Sequence, residues 1–187
     1  VSNSMDHPNK VMVHMGPGRH IVSYPLRGGS VVNLVMVQER SLWAGEGWSH
    51  RDDPAVVRAA FADFGGLAHV LLNALSEVYL WGLFRHPMAD YWFQDRSVLI
   101  GDAAHPMLPF LAQGANMALE DAWVLSRALR LHGATRQAFQ RYQSLRQARV
   151  KKVVATAQRN ARNYHLSAPL TRWVAHSALR GLGAVAP

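Results

Sequence analysis

The spacing of apolar and polar positions divides the chain into a strand-rich first part and a helix-rich second part. Residues 10–15 alternate weakly and run into the turn Gly16-Pro17-Gly18. Arg19–Leu26 and Val31–Gln38 are two apolar runs joined across Gly28-Gly29, the pattern of an antiparallel hairpin. Val31, Val32, Leu34, Val35, Met36 and Val37 are almost continuous, which predicts a strand buried on both faces. Residues 39–53 are polar and contain glycine, so they are expected as loop. Asp53 before Pro54 predicts a capped helix running to about residue 64, ended by Gly65-Gly66, with a second helix over 67–76. Residues 78–84 are short and aromatic-rich, a return strand expected in the same sheet as 10–40.

Residues 97–100 form another short apolar strand, and they lead directly into Gly101-Asp102. A loop with Pro106 and Pro109 follows, and Gly114 opens a helix. Ala115, Ala118, Leu119, Ala122, Leu125 and Leu129 recur at helical spacing as its predicted buried face, and Gly133 ends it. Thr135 caps the next helix, expected to reach about residue 164, with Phe139, Tyr142, Leu145, Val153, Ala157 and Ala161 as its buried stripe. A last short helix is expected over 170–179. The predicted class is α/β, reading as α+β if the chain is a piece of a larger protein.

Composition narrows this picture. Of 187 residues, 49% are hydrophobic and 17% charged, enough apolar surface for a packed core and too little charge for a disordered chain. There is no cysteine, which excludes disulfides and thiolate metal sites. No apolar run reaches the ~18–20 residues of a membrane span and no signal peptide is visible, so the expectation is a cytoplasmic protein with no membrane partner. Residues 1–121 carry 8 Lys/Arg and all 12 Asp/Glu, whereas 122–187 carry 12 Lys/Arg and no acid. Such asymmetry suits either nucleic-acid binding or a solvated basic face opposite an acidic partner. No nucleic-acid motif accompanies it, so no nucleic-acid partner is expected. Ten histidines are scattered, without a His-x-x-x-His pair or a carboxylate cluster, and no metal site is predicted. Of the six Trp residues, Trp43 and Trp48 lie in the loop, where they could approach a small-molecule substrate.

The chemistry-bearing segment is Gly101-Asp102-Ala103-Ala104-His105-Pro106, followed by Gln113-Gly114-Ala115-Asn116 and Glu120-Asp121-Ala122. A carboxylate at the C-terminal end of a strand can accept hydrogen bonds from ligand hydroxyls. A helix opening on glycine lets a ligand approach the backbone, and its unpaired N–H groups favour an anionic or electron-rich edge.

These 22 residues, 101–122, resemble the second flavin motif of the single-component FAD-dependent aromatic hydroxylases, such as salicylate hydroxylase and 3-hydroxybenzoate 6-hydroxylase. Residues 16–29 resemble the substrate-sheet segment of the same enzymes. The resemblance implies the C-terminal part of such an enzyme: residues 1–95 a substrate-binding mixed-sheet region, and 96–187 the last strand and long C-terminal helices of an FAD-binding domain. It implies FAD as cofactor, NAD(P)H as reductant and a small aromatic acid as substrate. Asp102, on the Gly101 turn, would hold the ribityl hydroxyls, and Pro106 would lie beside the isoalloxazine. The amides of Gly114, Ala115 and Asn116 would face its electron-rich edge. His20 and Tyr24 match a His-x-x-x-Tyr pair of the phenol pocket, with His20 placed to take the phenol proton. Four residues apart on a strand, they share a face.

The chain departs from that family in one respect. Its Gly-x-Gly runs, Gly16-Pro17-Gly18, Gly45-Glu46-Gly47 and Gly181-Leu182-Gly183, lack the strand-to-helix context of a dinucleotide fingerprint. The pyrophosphate cradle is therefore expected in a missing N-terminal segment, and the chain alone is expected to be inactive. Two other readings stay open: a truncated remnant that does not bind FAD by itself, and a basic nucleic-acid-binding module. A homodimer is one admissible assembly.

Overall fold

A computed structural model describes residues 1–3, 6–41, 47, 49–84 and 86–185. Trp43, Trp48 and most of Gly45-Glu46-Gly47 lie outside the described residues. The chain forms two compact units, one of Val1–Gly82 together with the chain from Asn163 onward, the other of Leu83–Arg162.

In the first unit β1 (Met12–Gly16), β2 (Arg19–Leu26) and β3 (Val31–Gln38) make one antiparallel sheet in the order β1-β2-β3. The predicted hairpin across Gly28-Gly29 is present, and the Gly16-Pro17-Gly18 turn closes a second one. The first turns so tightly that Gly16 pairs with Arg19, and Gly18 sits at φ 64, where a side chain would be strained. Gly16 is needed for a second reason: a Cβ there would lie 2.7 Å from the Phe64 ring. Helices α1 (Pro54–Ala60) and α2 (Gly66–Asn73) supply the apolar cover. Phe61, Phe64, Ala68 and Leu72 pack with Ile21, Leu34 and Met36 of the sheet. By strand alternation His20, Val22 and Tyr24 project from the face opposite Ile21.

Asp53 caps α1 as expected, accepting from Ala55 N at 2.7 Å. The helix ends at Ala60, not near 64, because the chain turns there to bury Phe61 and Phe64 together. Three expectations for this unit change. Residues 78–84 do not join the main sheet; only β5 (Val78–Leu80) pairs, antiparallel, with β4 (His50–Asp52) in a separate sheet. The polar His-Arg-Asp sequence of β4 had read as loop. Nor is β3 buried on both faces: Val32 alone is fully buried, and its other apolar residues are half-buried.

In the second unit β6 (Phe93–Gln94) and β7 (Ser97–Val98) form a small hairpin with Asp95 at φ 51 in its turn. The ladder of the expected strand is thus two residues long, though Leu99 N still donates to Trp92 O at 2.7 Å. Helix α3 (Gly114–His132) starts where predicted and stops at Gly133, φ 66. Helix α4 (Arg136–Tyr164) follows Thr135, whose Oγ1 accepts from Ala138 N at 3.4 Å. Helix α5 (Pro169–Val185), at the chain's end, is longer than the predicted 170–179. Trp92, Ala104, Met117, Ala128, Ala138, Phe139, Tyr142 and Val150 form the core.

The buried faces of both long helices follow the apolar pattern in part: Phe139, Tyr142, Ala157 and Ala161 of α4 are buried as expected, and Val153, Leu125 and Leu129 pack against the core. On α3 the fully buried residues are Met117, Asp121 and Ala128, with Val124, Leu125 and Leu129 packed beside them, while Leu119 is 70% exposed. On α4 Leu145 is 49% exposed, and Arg146 and Val150 are buried in its place. A buried ion pair between Asp121 and Arg146 fills one core position on each helix, and apolar periodicity cannot register a core position filled by charge.

Candidate functional site

The Gly101-Asp102 loop is pinned from below. Ile100 is extended, then Gly101 turns the chain at φ 56 against α3, where a Cβ would lie 3.0 Å from Ala118 Cβ. Asp121, fully buried, holds this turn. One carboxylate oxygen accepts from Gly101 N at 2.9 Å and from His105 Nε2 at 2.6 Å; the other accepts from Arg146 Nε at 2.7 Å. Arg146 also pairs with Glu120, which accepts from Arg149 Nε at 2.6 Å. Burial alone would raise Asp121, yet the hydrogen bonds from His105, Arg146 and Gly101 outweigh it and hold the carboxyl below its ordinary range. Arg149, with Arg146 second, takes Glu120 down to about 2. Tyr142 donates from its hydroxyl to Leu99 O at 3.1 Å, so the strand before the loop is fixed as well.

Above this base, Asp102 is exposed, and among the described residues its carboxylate takes no hydrogen bond. It stands beside the start of α3: a Cβ on Gly114 would be 4.0 Å from Asp102 Oδ1. Gln113 gives α3 no side-chain cap, and no acid lies in its first turn. The N–H groups of Gly114, Ala115 and Asn116 thus begin a helix with no intrahelical acceptor. Pro106 is half-buried in the loop between them. The structure therefore gathers Gly101, Asp102, Gly114, Ala115 and Asn116 into one wall: a carboxylate for hydroxyl donors beside a helix N-terminus for an electron-rich edge.

The second group of predicted residues lies in the other unit. His20 is buried on β2, its Nδ1 2.6 Å from His165 Nε2, with the Tyr164 ring edge-on at 5.3 Å. His165 Nδ1 is 2.8 Å from Glu39 Oε1. Burial, and secondarily the nearby charge of His165, lowers His20 to about 4. Tyr24, half-buried, accepts from Asn33 Nδ2 at 2.9 Å through its hydroxyl. His20 and Tyr24 share a strand face but have separate partners, and no bond between them is present among the described residues.

Three residues around these sites escape sequence reasoning, Glu39, Arg146 and His165, while His105 and Asp121 lie in the chemistry-bearing segment without a role read for them. Asp121 left a trace, an acid inside the apolar spacing of a helix. His165 and Glu39 left none, because they meet across 126 residues of chain.

Residues 5–157 match the family described as FAD binding domain. The 3-amino-4-hydroxybenzoate 2-monooxygenase of Streptomyces platensis is 37% identical over 161 residues, covering 84% of this chain and 40% of the relative. The 3-hydroxybenzoate 6-hydroxylase of Klebsiella oxytoca is 35% identical over 159 residues, with the same coverages. A salicylate hydroxylase solved as a substrate complex superposes with a TM-score of 0.76 at 27% identity, over 86% of this chain and 42% of that one. The chain spans about two fifths of the length of the curated relatives it matches. With most of its length matched, this chain belongs to the FAD binding domain family, in the company of FAD-dependent aromatic hydroxylases.

Proposed function

We propose that this chain is part of an FAD-dependent monooxygenase that hydroxylates a phenolic or aromatic acid with NAD(P)H and O2. One observation carries the reading: an unengaged Asp102 carboxylate beside an uncapped helix start, on a loop that the buried Asp121 holds rigid. The residues fit the cofactor's chemistry. Asp102 would accept from the ribityl hydroxyls, and Gly114, Ala115 and Asn116 would donate to the pyrimidine edge of the flavin, with Pro106 beside the ring. FAD held there would supply the redox chemistry, with NAD(P)H as the reductant and O2 as the oxidant. The chain's own part is to orient and to move a proton. His20 would accept the phenol proton, which makes the ring carbon ortho or para to the oxygen a stronger nucleophile, and Tyr24 would hold the substrate in the same pocket.

The division into a substrate-sheet region over 1–95 and part of an FAD-binding domain over 96–187 belongs to this proposal, as does cytoplasmic placement. No helix among the described residues is long and apolar enough to cross a membrane. The nucleic-acid reading gains no support from the relatives, and part of the basic excess is consumed internally, since Arg146 and Arg149 serve Glu120 and Asp121.

The test is a turnover assay on the protein that carries this chain, supplied with FAD, NADH or NADPH, and a panel of hydroxybenzoates and aminohydroxybenzoates. The expected result is reductant oxidation stimulated by one class of acid, with a product heavier by one oxygen atom. Oxidation that no aromatic acid stimulates, without oxygenated product, would overturn the proposal.

A further inference from the structure

Glu39, His165 and His20 form a line of side chains that orders the protons between them. A carboxylate only accepts, so the Glu39–His165 bond at 2.8 Å places a proton on His165 Nδ1. In a neutral ring His165 Nε2 is then an acceptor. His20 Nδ1 must donate across the 2.6 Å contact, and His20 Nε2 becomes the accepting nitrogen. The three residues come from separate places: β2, the residue just after β3, and the residue just after α4. The backbone reinforces the arrangement, with Glu39 N donating to Gly18 O at 2.9 Å and Gly18 N donating to His165 O at 3.3 Å. The hairpin tip between β1 and β2 thus fastens Glu39 and His165, the two members behind His20.

We propose that Glu39 and His165 are positioning residues that fix His20 in its Nδ1–H tautomer, presenting Nε2 as the nitrogen that takes the substrate's proton. The catalytic meaning rests on the function proposed above, in which His20 acts as the base. In that step the phenol O–H bond breaks and a His20 Nε2–H bond forms. The imidazolium keeps its Nδ1–H on His165, and the Glu39 carboxylate stabilises the added charge through the intervening ring, the logic of an acid–histidine pair extended by one imidazole. His20, held near 4 by burial and then by His165, is uncharged before it receives that proton.

The test reads the tautomer directly and needs no turnover. The 187-residue chain, labelled with 15N-histidine, is examined at neutral pH by long-range 1H–15N correlation of the His20 ring. The expected spectrum has a protonated-type Nδ1 and a bare Nε2. Glu39→Gln is the main variant, because the Glu39 side chain is 67% exposed and its loss does not open the core. It should move both His20 nitrogens toward averaged positions, and His165→Ala should move them further toward the Nε2–H form. Glu39→Asp should restore the original pattern. A proton on His20 Nε2 in the unaltered chain, or ring shifts that neither variant moves, overturns the proposal. Failure of the base assignment shows separately, as normal hydroxylation by a His20→Asn enzyme, and leaves the tautomer result standing.

Discussion

Burial brings His20 to about 4, so at neutral pH its ring is uncharged and able to accept a proton. A histidine at its ordinary value would show an acid limb near 6.5 in a pH–rate profile. The lowered value predicts that kcat/KM stays high through pH 6 and falls only as pH drops through about 4, where the base becomes protonated. The same shift has a sign for stability. The unfolded ring takes up a proton near 6.5 and the folded ring only near 4, so between those values the unfolded state binds more protons and stability is lost on acidification. His20→Asn should remove this component, read as a flatter Tm against pH between about 6.5 and 4. On catalysis it should slow hydroxylation by ~10²–10⁴-fold, the usual range for a positioned base. NAD(P)H electrons would then leave as hydrogen peroxide, so peroxide should rise as product falls. Tyr24→Phe should act the same way but more weakly, losing one hydroxyl and keeping the ring. Normal turnover and coupling in His20→Asn would remove the residue from the mechanism.

At the scale of elements, the Gly101 loop and α3 behave as one part because Asp121 ties them. Asp121→Ala leaves Arg146 buried without that partner and frees Gly101 N and His105 Nε2. Breaking a buried pair from one side costs about 3–5 kcal/mol, which urea unfolding would show as a lower midpoint. Gly101→Ala should act locally: it forces a side chain to φ 56 and against Ala118, strain on the order of 1–3 kcal/mol, and should weaken FAD binding more than its small volume suggests. Gly101→Ala with unchanged FAD affinity would mean the loop is not part of the cofactor wall. This tie also explains what could be read from the sequence. The strand–loop–helix around Gly101 and Gly114, the Asp53 and Thr135 caps and both hairpins follow from local residue chemistry, and each is present. On α3 and α4 the local period finds Leu125, Leu129, Phe139, Tyr142, Ala157 and Ala161 but misses Asp121 and Arg146, which find each other across 25 residues, a contact no local period encodes. The β4–β5 pairing failed for the same reason, since β4 has a loop's composition and becomes a strand only beside its partner.

At the scale of the whole molecule, the ion cluster around Asp121 and Glu120 gives a second acid sensitivity. Both carboxyls are held below their ordinary values, so their contribution to stability is present above the ordinary carboxylate range and is lost on acidification below it, for Glu120 as pH falls through about 2. The wall proposed for the cofactor would also be only part of an FAD site. It offers a carboxylate and one helix start, while no Gly-rich fingerprint in strand-to-helix context is present for the pyrophosphate. Several charge-assisted contacts of ~1.5–3 kcal/mol each are therefore absent, and the 187-residue chain by itself should not retain FAD through gel filtration. Yellow protein eluting with the chain would contradict this.

The central claim is that Asp102 and the start of α3 hold the flavin. It is tested most directly by titrating FAD, by fluorescence quenching, into apoprotein of the enzyme that carries this chain, with and without Asp102→Ala. The expected result is binding weaker by ~1.5–3 kcal/mol, roughly ten- to 150-fold, at unchanged thermal stability, because the Asp102 carboxylate is exposed and supports nothing else in the fold. Equal affinity for the two proteins would place Asp102 away from the cofactor and contradict the account.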